Sequence, residues 1–305
     1  MAECIELFQV NERLGNVVLS VVGKSTHTRD SLVLTNIDDC TSEWLARGYG
    51  SCNDAAWTHL GDRVVATFEN GSVGIFPVCG GGSSSSGSSS SSSSSSSGAR
   101  ADVWRGTVPV TDVSCARSMP LFATGLSVGR LMFWDERAGV RAPVAECAQM
   151  RSEFNHLSFS TDDLYLQASM EDSHVYVFDV RALARPLHVF AHEPCPHASR
   201  ERGDSLGVTM SRWTRQGFLF SCGADGAFKV WDLRAAGTDA LLRTVRAHCF
   251  SVSCVDVSPD GTVVASGCDG NRLALHSIAY EDPVFAPITD QFDPLAAEFG
   301  PLKLP

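Results

Sequence analysis

Three sets of residues in this chain have the types and spacing to do chemistry. His188, His192, Cys195 and His197 bring four metal-ligand side chains close together in sequence, but at no familiar zinc spacing, and Pro194 and Pro196 make the segment a loop. Asp54, Asp112, His156 and Asp256 are acids and a base near the starts of strand-like runs, the groups an enzyme would gather around a cavity. The third set ends two phrases, Trp134-Asp135-Glu136-Arg137 and Trp231-Asp232-Leu233-Arg234, with Phe178-Asp179-Val180-Arg181 as a weaker copy. An Arg just past a strand end presents a planar fork of donors to carboxylates and carbonyls, so its chemistry is recognition. The competing partner for each fork is a carboxylate or carbonyl of the chain itself.

Positioning these residues takes a repeated strand unit. Its clearest copy runs Ser221-Cys222-Gly223-Ala224-Asp225-Gly226-Ala227-Phe228-Lys229-Val230-Trp231-Asp232, in which small residues, an Asp-Gly turn and an alternating strand fit a hairpin. Other copies close at Phe76, Trp134, Phe178 and His276. Closing positions 134, 178, 231 and 276 are 44, 53 and 45 residues apart, near the roughly 40 to 45 of a four-stranded propeller blade. A second strand signal precedes each copy, in Cys52 to Trp57, Val110 to Cys115, Phe154 to Phe159, Val208 to Trp213 and Val252 to Val257.

On these phrases the chain resembles the WD-repeat β-propeller family over residues 49 to 278. The resemblance implies an all-β fold of six or seven blades, five of them readable, in a single propeller spanning 1–305. Residues 1 to 48 hold three more strand-like runs, and the Pro-rich tail 279–305 is expected to lend one edge strand, so that the termini share a closing blade. The family's buried polar network maps here onto His192, Ser221, Asp225 and Trp231. A partial set is His248, Ser266 and Asp269, and Trp134 closes another copy. The chain departs from the pattern at His276, Phe76 and Phe178, where Trp is usual.

With 305 residues, 44% of them hydrophobic, one propeller accounts for the length. The balance of 24 basic against 35 acidic residues, −11, disfavours the broad basic footprint of a nucleic-acid binder. Eleven dispersed Cys without a Cys-x-x-Cys pair, and a start without a signal-like or membrane-spanning apolar run, point to reduced thiols in cytoplasm or nucleus. The Ser/Gly-rich tract 80–98 has no side chains to bury and reads as a disordered inter-blade loop.

Function follows as expectation. The resemblance implies a scaffold for protein-protein interaction in a multi-subunit complex, with no catalytic residues, metal, cofactor or membrane. The Trp-Asp-x-Arg ending is similar to the box by which WD-repeat substrate receptors of cullin-RING ubiquitin ligases dock on the ligase's propeller adaptor, which implies partner binding by Arg137, Arg234 and Arg181. The alternatives are a structural subunit of a methyltransferase, chromatin, trafficking or motor complex and, in a different class, a propeller enzyme.

Overall fold

A computed structural model describes residues 4–11, 15–23, 31–78, 101–147, 150–195, 204–235, 237–258, 261–280 and 302–304. The chain divides into two compact units, 1–126 with 132–146, and 127–131 with 147–305. The Ser/Gly tract 80–98 and most of the tail lie outside the described residues.

The first unit begins with β1 (Cys4–Val10), β2 (Val17–Gly23), β3 (Ser31–Asn36) and β4 (Ser42–Arg47), which pair in that order as one sheet. A second sheet follows as β5 (Cys52–Trp57), β6 (Arg63–Phe68), β7 (Ser72–Pro77) and β8 (Asp102–Arg105). The third, which belongs to this unit except for Leu131 and Cys147, is built from β9 (Val110–Cys115), β10 (Leu121–Leu126), β11 (Leu131–Asp135) and β12 (Ala145–Cys147).

The second unit repeats the plan. Its sheets are β13 (Phe154–Phe159), β14 (Tyr165–Met170), β15 (His174–Asp179) and β16 (His188–Ala191), then β17 (Val208–Trp213), β18 (Phe218–Gly223), β19 (Phe228–Asp232) and β20 (Leu241–Val245). The last holds β21 (Val252–Val257), β22 (Val263–Cys268), β23 (Arg272–Tyr280) and β24 (Leu302–Leu304). Six four-stranded sheets thus account for the described strands, within the expected blade number. The expected sharing of one sheet by the two termini is not found among the described residues. Residues 4–47 make a sheet alone because Ser42–Arg47 supplies its fourth strand, while β24 pairs in parallel with Ile278–Tyr280.

The hairpin between second and third strands needs one left-handed residue, and five sheets place it at the same point of the phrase. Gly71, Gly129, Ser173, Gly226 and Asn271 have φ of 83, 77, 67, 74 and 57°. Asn70 closes its turn by accepting the Ser72 N–H on Oδ1 at 3.0 Å, in keeping with a turn role for this Asn-Gly-Ser triplet.

In each of the six sheets the first strand carries a bulge, at its third residue in β1 and at its second in the others, shown by register shifts between Ile5/Leu7, Cys52/Asp54, Phe154/His156, Val208/Met210 and Val252/Cys254, and opposite Gly125/Leu126 in the third. A bulge turns one side chain off the pleat. Three of these residues donate to the first strand of the next sheet: Asn53 Nδ2 to the Val110 carbonyl at 2.9 Å, Asn155 Nδ2 to that of Val208 at 2.9 Å, and Thr209 Oγ1 to that of Val252 at 2.5 Å. Apolar layers lie between neighbouring sheets, such as Leu32, Leu34 and Ala46 with Ala55, Val64 and Ala66, and Phe220, Phe228 and Val230 with Val255, Val264 and Ala274.

Candidate protein-docking site

The three Asp-x-Arg endings fold into one geometry. Each Asp closes its strand, and the next two residues turn back so that the Arg N–H reaches the Asp carboxylate at 2.9 Å, in Asp135/Arg137, Asp179/Arg181 and Asp232/Arg234 alike. The guanidinium then grips the same carboxylate with two nitrogens. Arg137 donates from Nε at 2.9 Å and Nη2 at 2.6 Å, Arg181 at 2.9 and 2.7 Å, and Arg234 at 2.8 Å from both. Each fork therefore has an internal partner, while its side chain stays 73%, 68% and 73% exposed. Hydrogen bonds from Arg137 and Arg181 hold the Asp135 and Asp179 carboxyls down at about 2, and Arg234 lowers that of Asp232. Arg234 also lies over the Phe218 ring, 5.4 Å from its centre. Pairing consumes Nε and Nη2 and leaves Nη1 donors, so each ending presents a flat, ordered cation on the surface.

Behind Arg234 stands the buried network. Trp231 Nε1 donates to Ser221 Oγ at 2.8 Å, Ser221 Oγ lies 2.7 Å from His192 Nε2, and His192 Nδ1 lies 3.1 Å from Asp225. Burial lowers the His192 pKa against the pull of Asp225. Burial also raises the Asp225 carboxyl, but hydrogen bonds from His192, Ala227 and Glu193 outweigh it and leave it lowered. A neutral imidazole fits both neighbours: it accepts the Ser221 hydroxyl proton at Nε2 and donates Nδ1–H to an ionised Asp225. The third sheet has a shorter version, with Trp134 Nε1 donating to Thr124 Oγ1 at 2.9 Å and the indole stacked on Phe122. In the sixth sheet His248 Nε2 lies 2.8 Å from Ser266 Oγ. Asp269 there accepts from Ser253 and from Ser205, and His276 packs edge-on against Phe228.

The other two sets are engaged in the fold. His192 belongs to the network, His188 stacks on Phe190, Cys195 is half-buried, and His197 lies outside the described residues. Asp54 Oδ2 accepts the Val113 N–H at 3.1 Å and Asp112 is buried. His156 Nε2 accepts from Arg212 Nη1 at 2.8 Å and its Nδ1 lies 2.9 Å from Gln167 Nε2, while Arg212 reaches Asp256 at 3.5 Å. Burial, with Arg212 beside it, keeps His156 well below the usual His range.

One pairing has no sequence signal. Glu136, the variable residue of the first ending, is fully buried and meets His59 Nδ1 at 2.5 Å and the His59 N–H at 3.2 Å, while Arg63 Nη1 donates to the Glu136 carbonyl at 3.1 Å. Burial raises its carboxyl pKa despite His59 and Arg63. The ending of the third sheet is thereby tied to the turn between β5 and β6.

Comparison with known proteins places this geometry. The WD domain, G-beta repeat family matches residues 239–273, which run from just before the fifth sheet's last strand into β23. The chain is 24% identical over 52% of its length to Rik1-associated factor 1 of Schizosaccharomyces pombe, and 22% identical over 39% to the E3 ubiquitin-protein ligase COP1 of Arabidopsis thaliana. These matches span only 25% and 16% of the relatives' own lengths. A chain in the crystal structure of the mitotic checkpoint complex shares the fold, with a TM-score of 0.65, 20% identity, and coverage of 87% of this chain and 73% of that one. The phrase recurs on five of six four-stranded sheets, one stretch of the chain matches the WD repeat, and the fold is shared over most of the chain's length with a chain of the mitotic checkpoint complex.

Proposed function

We propose that this WD-repeat chain is a non-enzymatic scaffold acting in cytoplasm or nucleus, and that it serves as a substrate receptor of a cullin-RING ubiquitin ligase, docking on the ligase's propeller adaptor through Arg137 and Arg234, with Arg181 as a third contact. The observation that carries this reading is the repeated fork: an Arg already ordered by its own Asp and still more than two-thirds exposed. A partner that binds it loses little further rotamer freedom, and Arg is a favoured hot-spot residue. Neutralisation by the paired Asp suits partner carbonyls as well as carboxylates. The relatives named as an E3 ubiquitin-protein ligase and a Rik1-associated factor support the same direction.

A structural subunit of a methyltransferase, chromatin, trafficking or motor complex is the second reading, favoured by the sixth sheet, where no described strand pairs with the outer side of residues 272–277. Affinity purification with mass spectrometry of the whole chain and of the Arg137→Ala, Arg234→Ala double variant tests the choice. Loss of a cullin-ligase adaptor from the variant alone is the expected result. Identical partners without ligase subunits would discard the receptor reading.

A further inference from the structure

The chain that runs from the fourth sheet to the fifth is tied to the sixth through Ser205. Asn155 Nδ2 donates to the Leu206 carbonyl at 2.8 Å, which fixes the chain just before β17. One residue earlier, Ser205 is half-buried and lies outside any strand or helix. Its hydroxyl donates to Asp269 Oδ1 at 3.3 Å, its N–H donates to Asp269 Oδ2 at 3.4 Å, and its carbonyl accepts from Ser251 Oγ at 3.5 Å. All three are longer than an ordinary hydrogen bond and therefore weak. Asp269 is the exposed turn aspartate of the sixth phrase and also accepts the Ser253 hydroxyl.

The sequence leading to Ser205 has a pattern that occurs nowhere else in the chain. It reads Arg200-Glu201-Arg202-Gly203-Asp204-Ser205, and of the 24 Arg and Lys residues Arg202 alone has a Ser or Thr three positions after it. A second Arg stands five positions before the same serine. With a net charge of −11, the pair is not a by-product of general basicity. Protein kinases select substrates by such charge patterns, because acidic pockets beside their cleft hold guanidinium forks through paired hydrogen bonds. They act on irregular chain, and residues 204–206 are neither strand nor helix.

We propose that Ser205 is a phosphorylation site for an arginine-directed Ser/Thr protein kinase using ATP, and that the phosphate releases residues 204–205 from the sixth sheet. In the transfer the Ser205 hydroxyl oxygen bonds to the γ-phosphorus of ATP, the bond from that phosphorus to the ADP oxygen breaks, and the hydroxyl proton passes to the kinase's base. The product carries about two negative charges. It has lost the O–H that Asp269 accepted and now faces that carboxylate as a like charge, so the contact becomes a repulsion. The bond from Asn155 to Leu206 lies beyond the modified residue and holds β17 in place. This site is separate from the arginine forks; it shares with the proposed function only the placement in cytoplasm or nucleus, where such kinases act.

The purified full chain, incubated with an arginine-directed kinase and ATP and mapped by peptide mass spectrometry, tests this beside a synthetic peptide of residues 198–207. The expected result is phosphate on Ser205 of the folded chain, at a rate lowered about tenfold or more by Arg202→Ala, the loss of one charge-assisted contact. Hydrogen exchange over residues 204–207 should then be faster in the phosphorylated chain than in the unmodified one. Asp269→Asn keeps the shape but removes the like charge, and should shrink that difference; because Asp269 is exposed, this variant is expected to melt like wild type. Phosphate on the peptide but not on Ser205 of the chain would mean that the fold shields the serine, and phosphate on neither that the sequence is not recognised. Either overturns the proposal, as would phosphate confined to Ser199 or a rate indifferent to Arg202→Ala. Exchange unchanged by phosphate, or changed equally in Asp269→Asn, would overturn the release.

Discussion

Ser221 Oγ sits between two buried groups, accepting from Trp231 Nε1 at 2.8 Å and lying 2.7 Å from His192 Nε2. One hydroxyl thus joins the closing strand of the fifth sheet to the segment leaving the fourth. Ser221→Ala leaves the indole N–H and the imidazole nitrogen without this partner, at a cost of about 2 kcal/mol. Urea unfolding of the two proteins measures it, and a change within error would remove the network from the account of stability.

Acid is expected to loosen the fold in two stages. His192 is held below its ordinary 6.5 by burial, as is His156 by burial with Arg212 beside it, so the unfolded chain takes up these protons first. Their stabilisation is complete above 6.5 and is lost as pH falls toward the folded values. Asp225 is lowered below its ordinary 3.8, so its share holds above that pH and disappears as pH falls through its folded value. Thermal melts from about pH 7 down to about 5 should therefore show Tm falling with pH, and a flat profile would contradict the assigned neutral imidazoles.

Two glycines with similar backbone angles should respond differently to alanine. A Cβ at Gly129, φ 77°, would meet the Met150 carbonyl oxygen at 2.4 Å, whereas one at Gly217, φ 86°, finds nothing within 4 Å. Gly217→Ala then carries only left-handed strain, about 1 kcal/mol. Gly129→Ala adds a backbone clash and should cost about 3 kcal/mol or more. Equal losses in chemical denaturation would mean that the close approach at the third sheet is easily relaxed.

Glu136 and Arg137 are neighbours with opposite roles. Glu136 is buried against His59, so Glu136→Ala should destabilise the first unit by about 2 kcal/mol through lost charge-assisted hydrogen bonds. Arg137 is exposed and held by Asp135, so Arg137→Ala should leave the melting curve nearly unchanged while altering partner capture. Calorimetry beside affinity purification separates them. A large stability loss at Arg137 would recast the fork as structural.

The strands and turns of five sheets were legible because their signals are local. Alternating apolar residues, an Asn-Gly or Asp-Gly turn and a closing Trp-Asp act on neighbours a few residues away, and the spacing of the phrase implied the repeat. The network of His192, Ser221, Asp225 and Trp231 was implied by the resemblance to the WD-repeat family, whose pattern assigns each a set place in the phrase. Ser42–Arg47 was not, because an outer strand bonded on one side, with Trp44 exposed and Arg47 over its ring, has little apolar pattern to read.

The sequence by itself determined the sheets, their hairpins and the positions of the three endings. Only the tertiary structure decided how those residues are spent. Each Arg folds back on its own Asp because the chain turns just past the strand, and Asn53, Asn155 and Thr209 reach the next sheet because a bulge turns them off the pleat. His59 meets Glu136 across 77 positions because stacked sheets bring a turn and a strand end together. Leu273 has the same place in its phrase as Val175, yet one is exposed and the other buried. That difference depends on what packs over the side chain, since Val175 lies against Val208 and Leu219 of the fifth sheet, and local periodicity carries no information about whether such a layer is there.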